Sequence, residues 1–384
     1  MDTKILILGA GLVGRPMALD LHKDGSLKIA VADINKVSLQ KITEEGILKI
    51  KTDLSDESEL KALVADYDII MNAVPGSLGF KTLRWCIEAG KDVVDIAFYP
   101  EDPFELDELA KEKGVRAICD MGVAPGMSNL LAGYAASRLN EVEEIAIYVG
   151  GLPKVRTKPW EYKAVFSPAD VIEEYTRPAR LVEHGQIITK PPLTEIELLE
   201  FDQVGTLEAF NSDGLRTLMF TLNARQMKEK TLRYPGYAEK IELLADNGFF
   251  ETEELDISGR LVSPLEITSK LLFDQWKLQP GEADLTVMRI IVEGKYKGEG
   301  VRYTFDLYDE YDPESDIHSM ARTTGYSATI AVRMLLRCLF TTPGITVPEY
   351  LGKNRQIVDF FLDGLKERGV VYTMKSEKIE RVSV

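Results

Sequence analysis

The sequence is poor in cysteine and histidine, with three cysteines and three histidines among 384 residues. They are scattered along the chain as Cys86, Cys119, Cys338, His22, His184 and His318. Their spacing matches neither a zinc site nor a disulfide framework, so we expect no metal site and a reducing compartment. All three cysteines fall in helix or strand patterns, and we expect them in hydrophobic cores.

Long apolar runs and basic clusters are also absent. No run approaches the roughly 20 residues that span a bilayer, and residues 1–4 lead into an apolar segment without the pattern of a signal peptide. The formal net charge of −16 repels nucleic acid and anionic membranes. With 45% hydrophobic and 28% charged residues, the composition is typical of a soluble globular protein. We therefore expect a cytoplasmic protein with neither nucleic acid nor a membrane as its partner.

A glycine-rich stretch at residues 9–14 is the most informative motif. Its sequence, Gly-Ala-Gly-Leu-Val-Gly, follows the apolar segment Lys4–Leu8 and opens a helical pattern. In a dinucleotide-binding turn, the first glycine makes the tight turn, the second admits the pyrophosphate and the third lets the helix approach the strand. The helix start then supplies amides for the phosphate charge. The predicted cofactor-binding residues of this turn are Gly9, Gly11, Leu12, Val13 and Gly14.

Asp33 ends the next strand pattern, Lys28–Asp33, about 20 residues beyond the glycine turn. A carboxylate at this place accepts hydrogen bonds from the ribose hydroxyls of NAD and repels the additional phosphate of NADP. The sequence therefore predicts NAD as the cofactor. The alternative is that Asp33 is a surface turn residue after a buried strand.

Strand and helix patterns alternate up to about residue 122. The strand patterns are Lys4–Leu8, Lys28–Asp33, Leu48–Lys51, Ile69–Asn72, Asp92–Asp95 and Val115–Asp120. Such alternation predicts a Rossmann-type, doubly wound parallel sheet, whose ligands bind outside the carboxyl ends of its strands. The residues at those ends complete the predicted cofactor site: Asp53, Asn72, Ala73, Val74, Pro75 and Asp95.

The pattern becomes mixed after residue 122. Thr286–Tyr296 and Arg302–Tyr311 alternate in polarity around a glycine-containing turn region at residues 294–300, which predicts antiparallel strands. We expect an α/β protein with a second, α+β domain on a mixed or antiparallel sheet. The predicted domains are residues 1–122 for the dinucleotide, residues 123–318 for substrate and dimerisation, and residues 319–384 as helices that return to the first domain.

Six residues are candidates for catalysis or substrate binding: Asp120, Arg233, Arg322, Thr323, Tyr237 and Lys240. Asp120 ends the sixth strand pattern and precedes a Gly and Pro-Gly loop, so it is placed to meet a cation or polarise a water. Its alternative role is that of a turn or helix-capping aspartate.

The arginines among these candidates suit anions. Arg233 can bind a carboxylate with two hydrogen bonds, although a structural surface arginine fits the same residues equally well. Arg322 and Thr323 lie near a helix start, where anions bind or where ordinary capping occurs. Lys240 suits proton transfer if it is buried, and a solvated pair with Glu239 is the alternative.

Eight stretches together resemble one known family. They are Ile7–Gly14, Asp120–Met127, Tyr148–Pro153, Phe166–Pro168, Glu173–Ala179, Glu208–Gly214, Leu232–Gly236 and Met320–Gly325. The chain resembles the saccharopine dehydrogenase superfamily, and within it the NAD-dependent lysine 6-dehydrogenases. The resemblance runs nearly end to end and is far more specific than the glycine motif alone.

This resemblance implies a homodimer that oxidatively deaminates the ε-amine of L-lysine to 2-aminoadipate 6-semialdehyde, which cyclises to a piperideine carboxylate. Saccharopine reductases usually carry an acidic residue in place of Ala124 and a histidine in place of Asn129, which argues against saccharopine. Lysine 6-dehydrogenases can carry a histidine in place of Tyr237. The alternatives are a saccharopine- or carboxynorspermidine-type oxidoreductase and a non-catalytic NAD-binding protein.

Overall fold

The computed structural model describes residues 3–165, 168–279 and 281–380. Two compact units share the chain. Unit 1 comprises Met1–Arg138 and Ala321–Val371, and unit 2 comprises Leu139–Met320 and Tyr372–Val384. Of the stretches that carry the family resemblance, Phe166 and Ser167 lie outside the described residues.

The described residues form eighteen strands and thirteen α-helices. The strands are β1 Lys4–Leu8, β2 Lys28–Asp33, β3 Leu48–Lys51, β4 Ile69–Asn72, β5 Asp92–Asp95, β6 Arg116–Ile118, β7 Glu141–Pro153, β8 Ala179–Glu183, β9 Gln186–Lys190, β10 Glu197–Phe201, β11 Gly205–Asn211, β12 Ala224–Arg233, β13 Leu255–Ile257, β14 Arg260–Val262, β15 Asp284–Tyr296, β16 Glu299–Glu310, β17 Gly344–Thr346 and β18 Tyr372–Ile379. The helices are α1 Gly14–His22, α2 Lys36–Gln40, α3 Glu57–Val64, α4 Gly76–Glu88, α5 Asp107–Lys113, α6 Met127–Ala136, α7 Pro168–Thr176, α8 Leu218–Thr221, α9 Tyr237–Asp246, α10 Pro264–Trp276, α11 Ser319–Leu336, α12 Pro348–Gly352 and α13 Arg355–Glu367.

Unit 1 contains a parallel sheet with the strand order β17-β6-β5-β4-β1-β2-β3. Its central strands are apolar runs because helices cover both faces of such a sheet; in β1, for example, Ile5–Leu8 are fully buried. The edge strand β3 differs, since it alternates with lysine and is largely exposed. The strand order reverses between β1 and β4, which both pair with parallel neighbours. Ligands of open α/β sheets bind outside the carboxyl ends at such a reversal.

Unit 2 contains a mixed sheet with the order β10-β11-β12-β7-β15-β16-β18, to which β8 and β9 add through β12. Strands β12 and β7 are parallel, whereas β15 is antiparallel to both β7 and β16. One of its apolar clusters joins helices α7, α9 and α10 through Tyr175, Tyr237 and Trp276. The predicted fold class, a Rossmann-type parallel sheet with a second α+β domain, is confirmed.

Two strands depart from the sequence prediction. The short strand β17 was not expected and pairs in parallel with β6. Residues 319–384 were predicted as helices that return to the first domain, but Tyr372–Ile379 forms strand β18, which pairs with β16 in the sheet of unit 2. This edge strand is rich in exposed lysine and glutamate, as charged edge strands often are, so it carries no apolar period that a sequence reading detects.

The division of the chain also differs from the predicted boundary at residue 122. Helix α6 belongs to unit 1, where it packs closely on α12. Because Gly133 lacks a side chain, its backbone approaches that of Glu349; a Cβ on Gly133 would lie 2.3 Å from the Glu349 carbonyl oxygen. Cys86 and Cys119 are buried as expected, but Cys338 is exposed because α11 ends before it, at Leu336. Among the described residues, no helix has the length and apolar character needed to cross a bilayer.

Candidate active site

In the glycine turn of unit 1, the space beside Gly11 is open. A Cβ on Gly9 would lie 2.5 Å from the Ala73 carbonyl oxygen, and one on Gly14 would lie 1.9 Å from that of Gly9. Side chains are therefore excluded at both positions by backbone packing. A Cβ on Gly11 would meet nothing within 4 Å, and Val13 provides no side-chain cap for α1. This open cradle beside an uncapped helix start fits the pyrophosphate of a dinucleotide.

Asp33 lies directly beside this turn. Its Oδ2 accepts a hydrogen bond from the Ala10 amide at 2.6 Å, and its Oδ1 accepts one from the Asn35 amide at 2.6 Å. The two bonds fix the carboxylate at the carboxyl end of β2. Each carboxylate oxygen has a further lone pair, so the group fits a ribose that lies against the turn.

The other predicted cofactor-binding residues divide into two groups. Ala73 packs on the glycine turn, since its carbonyl oxygen would lie 2.5 Å from a Cβ on Gly9. By contrast, the buried Asn72 donates its side-chain amide to Gly79 at 3.1 Å, which positions α4. The exposed Asp53 accepts bonds from the amide and hydroxyl of Ser55, so its carboxylate closes a local turn. Val74 is buried, whereas Leu12 and Pro75 are exposed.

Asp95 is a fully buried carboxyl at the end of β5. Burial raises the pKa of Asp95 to about 8, and the charge of Asp120 adds to this rise, whereas the hydrogen bond from the Ala97 amide to Oδ1, at 2.8 Å, opposes it. The Asp95 carbonyl also accepts a bond from the Met121 amide at 3.0 Å. The end of β5 and the segment that contains Asp120 are therefore neighbours.

Asp120 follows β6 and is buried, with a left-handed backbone at φ 55°. The next loop is compact: Gly126 has φ 139°, and a Cβ there would lie 1.9 Å from the Gly122 carbonyl oxygen. A Cβ on Gly122 would lie 3.2 Å from Cγ2 of Thr324, so the loop packs against the start of α11. A left-handed backbone is rare outside glycine, asparagine and aspartate and often marks a functional site.

Arg322 and Thr323 belong to this same part of unit 1. Arg322 is buried, and its Nη2 donates to the Arg368 carbonyl at 3.1 Å. Thr323 is fully buried within α11. Three of the six candidates for chemistry, Asp120, Arg322 and Thr323, thus lie in unit 1, and the other three lie in unit 2.

Arg233 is the centre of the candidate site in unit 2. It ends β12, and its side chain is only 2% exposed. The guanidinium carbon lies 4.4 Å from the ring centroid of Tyr162, 6.0 Å from that of Tyr175 and 5.8 Å from that of Tyr237. Aromatic faces attract a cation electrostatically, so this aromatic cage stabilises a charged group that burial would otherwise disfavour.

The hydrogen bonds of Arg233 use only part of its guanidinium. Its Nη2 donates to Glu174 Oε2 at 2.8 Å and to the Tyr175 hydroxyl at 3.1 Å, and its Nη1 donates to the Leu232 carbonyl at 2.9 Å. Within the described residues, its buried Nε has no hydrogen-bond partner. The edge formed by Nε and Nη2, which can bind both oxygens of a carboxylate, is therefore half used.

Further carboxyls surround this arginine. Glu229 is buried on β12, and the Ser212 hydroxyl donates to its Oε2 at 2.7 Å. Burial raises the pKa of Glu229 to about 8; the bond from Ser212 opposes this rise, and the charges of Glu174 and Asp213 add to it. Glu229 is thus protonated at neutral pH, so it adds no charge to the surroundings of Arg233.

Tyr237 and Lys240 have different positions on α9. Tyr237 lies in the aromatic cage, and its hydroxyl is 3.0 Å from that of Tyr175. Burial raises the pKa of Tyr237 well above its ordinary value, so the phenol stays neutral. Lys240 is partly exposed, and its Nζ lies 3.8 Å from Glu161 Oε2. Only Arg233 and Tyr237 of these three candidates are in contact.

Sequence reasoning did not select Glu174, Tyr175, Ser212 or Glu229 as site residues. The first three lie within the stretches Glu173–Ala179 and Glu208–Gly214, which carried the family resemblance. The structure brings these stretches and Leu232–Gly236 together around Arg233, and that convergence was the available signal.

Two models of known protein families match the parts of the chain that contain these two candidate sites. A model of the saccharopine dehydrogenase C-terminal domain matches residues 122–370, and a model of the saccharopine dehydrogenase NADP binding domain matches residues 5–118. The chain belongs to the saccharopine dehydrogenase family. As expected of this oxidoreductase family, unit 1 carries a nicotinamide dinucleotide-binding domain.

Individual members of the saccharopine dehydrogenase family show the extent of the likeness. Bovine mitochondrial alpha-aminoadipic semialdehyde synthase is 23% identical over 97% of this chain, but the chain spans only 48% of that protein. Saccharopine dehydrogenase (NADP(+), L-glutamate-forming) from Schizosaccharomyces pombe is 25% identical over 95% of this chain and 97% of its own length. The solved apo saccharopine dehydrogenase (L-Glu forming) of Saccharomyces cerevisiae has a TM-score of 0.81 at 20% identity, covering 98% of this chain and 100% of that one. The Saccharomyces cerevisiae structure shows that the fold is shared along nearly the whole chain.

One position at which saccharopine reductases usually differ from this chain has a structural role here. Asn129 is fully buried, and its side-chain amide donates to Glu349 Oε2 at 3.4 Å. The Ser128 hydroxyl donates to Asn129 Oδ1 at 2.9 Å. Asn129 therefore links α6 to α12, while Ala124 lies in the compact loop that follows Asp120.

Proposed function

We propose that the protein catalyses the NAD-dependent oxidative deamination of the ε-amine of L-lysine. The products are 2-aminoadipate 6-semialdehyde, ammonia, NADH and a proton, with water supplying the aldehyde oxygen. The observation that carries this proposal is the half-used guanidinium edge of Arg233, which is suited to one α-carboxylate. In unit 1, the buried Asp120 carries a carboxylate that suits an amine.

Each residue then has a distinct role. Arg233 holds the α-carboxylate of lysine and so fixes the orientation of the substrate. Asp120 binds the ε-ammonium or orients the water that attacks the imine, a proton-transfer role that carboxylates commonly perform. The nicotinamide cofactor supplies the hydride acceptor. Alkaline pH favours this reaction because more of the ε-amine is neutral.

The choice of NAD rests on Asp33. Its carboxylate is held beside the glycine turn by the Ala10 and Asn35 amides, where it can accept from ribose hydroxyls and repel a 2′-phosphate. The family model that matches unit 1 is described as NADP binding, so the preference has to be measured. Fluorescence titration of the unmodified protein with both dinucleotides should show tighter binding of NAD.

A second candidate, a saccharopine-type oxidoreductase, is favoured by the names of the relatives, which include NADP-dependent saccharopine dehydrogenases. Saccharopine carries more carboxylates than lysine and therefore needs more cations. A carboxynorspermidine-type activity has the same requirement. Catalytic turnover with any of these substrates excludes a non-catalytic NAD-binding protein.

One assay separates these functions. Steady-state formation of reduced cofactor is measured at alkaline pH with lysine, ornithine, saccharopine and carboxynorspermidine, each with NAD and with NADP. We expect the highest kcat/KM with lysine and NAD. A higher value with saccharopine or carboxynorspermidine would make the lysine assignment wrong, and no turnover with any substrate would favour the non-catalytic protein.

We also propose a cytoplasmic homodimer. Support comes from strands β15 and β16, which present a row of half-buried residues at Gly300–Thr304, and from the resemblance to the lysine 6-dehydrogenases. Light scattering at micromolar protein should give twice the mass of one chain. A stable single-chain mass would contradict this proposal.

A further inference from the structure

We infer that helix α11 positions the pyrophosphate-binding turn of unit 1 by packing along α1 from its first turn to its last. Gly325, Thr329 and Arg333 of α11 are then positioning residues for the dinucleotide, although none of them belongs to the glycine turn. The inference rests on the dinucleotide-binding domain of unit 1. It is independent of the substrate and of the choice between NAD and NADP.

The first support is the contact at the start of α1. A Cβ on Gly325 would lie 3.0 Å from Met17 Cγ and 3.3 Å from Val13 Cγ1, closer than ordinary van der Waals contact. Val13 immediately precedes α1 and belongs to the turn whose amides receive the pyrophosphate. The absence of a side chain at residue 325 therefore lets α11 lie directly against the part of α1 that meets the cofactor.

The second support is the contact at the end of α1. The Thr329 hydroxyl donates to Asp20 Oδ2 at 2.6 Å, and Arg333 Nη1 donates to the same oxygen at 2.6 Å. Arg333 Nη2 also donates to the Asp20 carbonyl at 3.0 Å, in the last turn of the helix, where a cation complements the helix dipole. Gly325, Thr329 and Arg333 are one turn apart and so share one face of α11. The same face of α11 thus contacts both ends of α1.

The third support is the burial of the carboxylate that joins the helices. Asp20 is 4% exposed, and Arg368, which follows α13, donates its Nε to Asp20 Oδ1 at 2.7 Å. Arg333 extends the contact to the two oxygens of Asp24, at 2.7 and 2.9 Å. Breaking a buried ion pair leaves an uncompensated charge, which is strongly unfavourable. Helix α1 therefore keeps its place along α11 instead of being held by the parallel sheet alone.

This packing has a consequence for cofactor affinity. The pyrophosphate binds to amides at the start of α1, and hydrogen bonds weaken when their length or angle departs from the preferred geometry. A small displacement of the first turn of α1 should therefore weaken the binding of NAD and NADP by the same factor, because both carry the pyrophosphate. A change at Asp33 acts on the ribose instead and alters the ratio of the two affinities.

The substitution Gly325→Ala tests the inference. The added methyl group must displace Met17 or Val13, whereas α11 itself is not weakened, because alanine has a higher helix propensity than glycine. Fluorescence titration of the full chain with NAD and with NADP should show both dissociation constants raised about 10-fold, the scale of one weakened charge-assisted hydrogen bond. Their ratio should stay that of the wild type.

Gly364→Ala is the matched control. A Cβ on Gly364 of α13 would also lie 3.0 Å from a side-chain atom, but that atom is Cδ1 of Ile330 on α11 and not part of α1. The same substitution, with an equally close contact in the same unit, should leave both dissociation constants unchanged. Asp92→Asn is a second control, since it breaks the partly buried pair with Arg116. It should lower the melting temperature without changing either affinity.

A second variant keeps the test decisive if Gly325→Ala fails to fold. Thr329→Val keeps the shape of the side chain and removes its hydrogen bond to Asp20. Because that bond holds the last turn of α1, the variant should raise both dissociation constants by a few-fold, again with an unchanged ratio. A purely structural role of this contact would lower the melting temperature and leave the affinities as they are.

The inference is overturned if folded Gly325→Ala binds both dinucleotides as the wild type does, or if Gly364→Ala weakens their binding equally. It is also overturned if Gly325→Ala changes the ratio of the two affinities, because the effect would then act on the ribose. No step of this experiment involves an amino acid. A failure of the lysine assignment therefore leaves its outcome unaffected.

Discussion

The two units differ in the charge of their candidate sites. In unit 1, carboxyl groups stand at the ends of parallel strands: Asp33 ends β2 beside the glycine turn, and the buried Asp95 and Asp120 follow β5 and β6. In unit 2, the central group is a cation, Arg233, held in a cage of three tyrosines. Carboxylates suit ribose hydroxyls and amines, while the arginine suits a carboxylate. Changes in unit 1 should therefore alter rate or cofactor affinity, and changes around Arg233 should alter affinity for the amino acid.

The largest expected effect is on the rate, from Asp120→Asn. Asparagine tolerates the left-handed backbone of this position, so the turn should survive while the carboxylate is lost. We expect kcat to fall by about 10²–10⁴, the usual scale for a lost proton-transfer group, with NAD affinity unchanged. Asp66→Asn, at an exposed position after α3 of the same unit, is the control and should keep the wild-type kcat. A near-normal kcat for Asp120→Asn would assign Asp120 to turn structure.

The second prediction concerns the cofactor preference that Asp33 gives to unit 1. Replacing Asp33 with serine removes the carboxylate that accepts from the Ala10 and Asn35 amides. NAD binding should weaken by about 1–3 kcal/mol, the scale of lost charge-assisted hydrogen bonds. Asp33→Asn keeps the size but not the charge, so it should narrow the gap between NAD and NADP. Tighter binding of NADP than NAD by the unmodified protein, measured by fluorescence titration, would refute the role of Asp33.

Affinity for the amino acid should depend on Arg233. Lysine keeps the charge but lacks the planar fork, so Arg233→Lys should raise KM by about 10–100-fold, equivalent to one or two charge-assisted hydrogen bonds, and leave kcat within a few-fold. Arg180→Lys alters the structural pair with Asp213 and should leave KM unchanged. If steady-state kinetics show a large loss of kcat with a normal KM, Arg233 does not act through affinity for the amino acid, and the assignment of that role to unit 2 is wrong.

The sheet of unit 1 was predictable because its signals are local. The bounds of β1, β2, β4 and β5 follow from apolar runs that end in polar residues, and the turn at residues 9–14 has a defined place between β1 and α1. Because helices cover both faces of the sheet, an apolar run between two helical patterns predicts a buried strand. Even here, β17 was missed because a strand of three residues has too short an apolar run to distinguish it from a loop.

The site of unit 2 was less predictable because its contacts join distant segments. Arg233 was a candidate, but nothing in the sequence pairs it with Glu174 on another element. The run Lys228–Lys230 has the pattern of an exposed charged strand. In the structure Glu229 and Lys230 are both buried on opposite sides of β12, since the mixed sheet is covered where these residues lie. Strand alternation assumes one solvated face, and that assumption fails here.

The smallest expected effect concerns stability and tests whether Glu229 is neutral beside Arg233. Burial raises the pKa of Glu229 to about 8 from an ordinary value of 4.5. Between these pH values the folded protein keeps a proton that the unfolded chain has released, so Glu229 makes folding less favourable as the pH rises. Glutamine has no such proton and resembles the neutral acid. The free energy of unfolding of Glu229→Gln relative to the wild type should therefore increase by about 1–3 kcal/mol from pH 5 to pH 8, as measured by urea unfolding. Glu239→Gln, exposed on α9, should follow the wild-type profile. If the Glu229→Gln profile also runs parallel to that of the wild type, Glu229 is charged in the folded protein, and Arg233 has a second carboxylate that competes with the substrate for it.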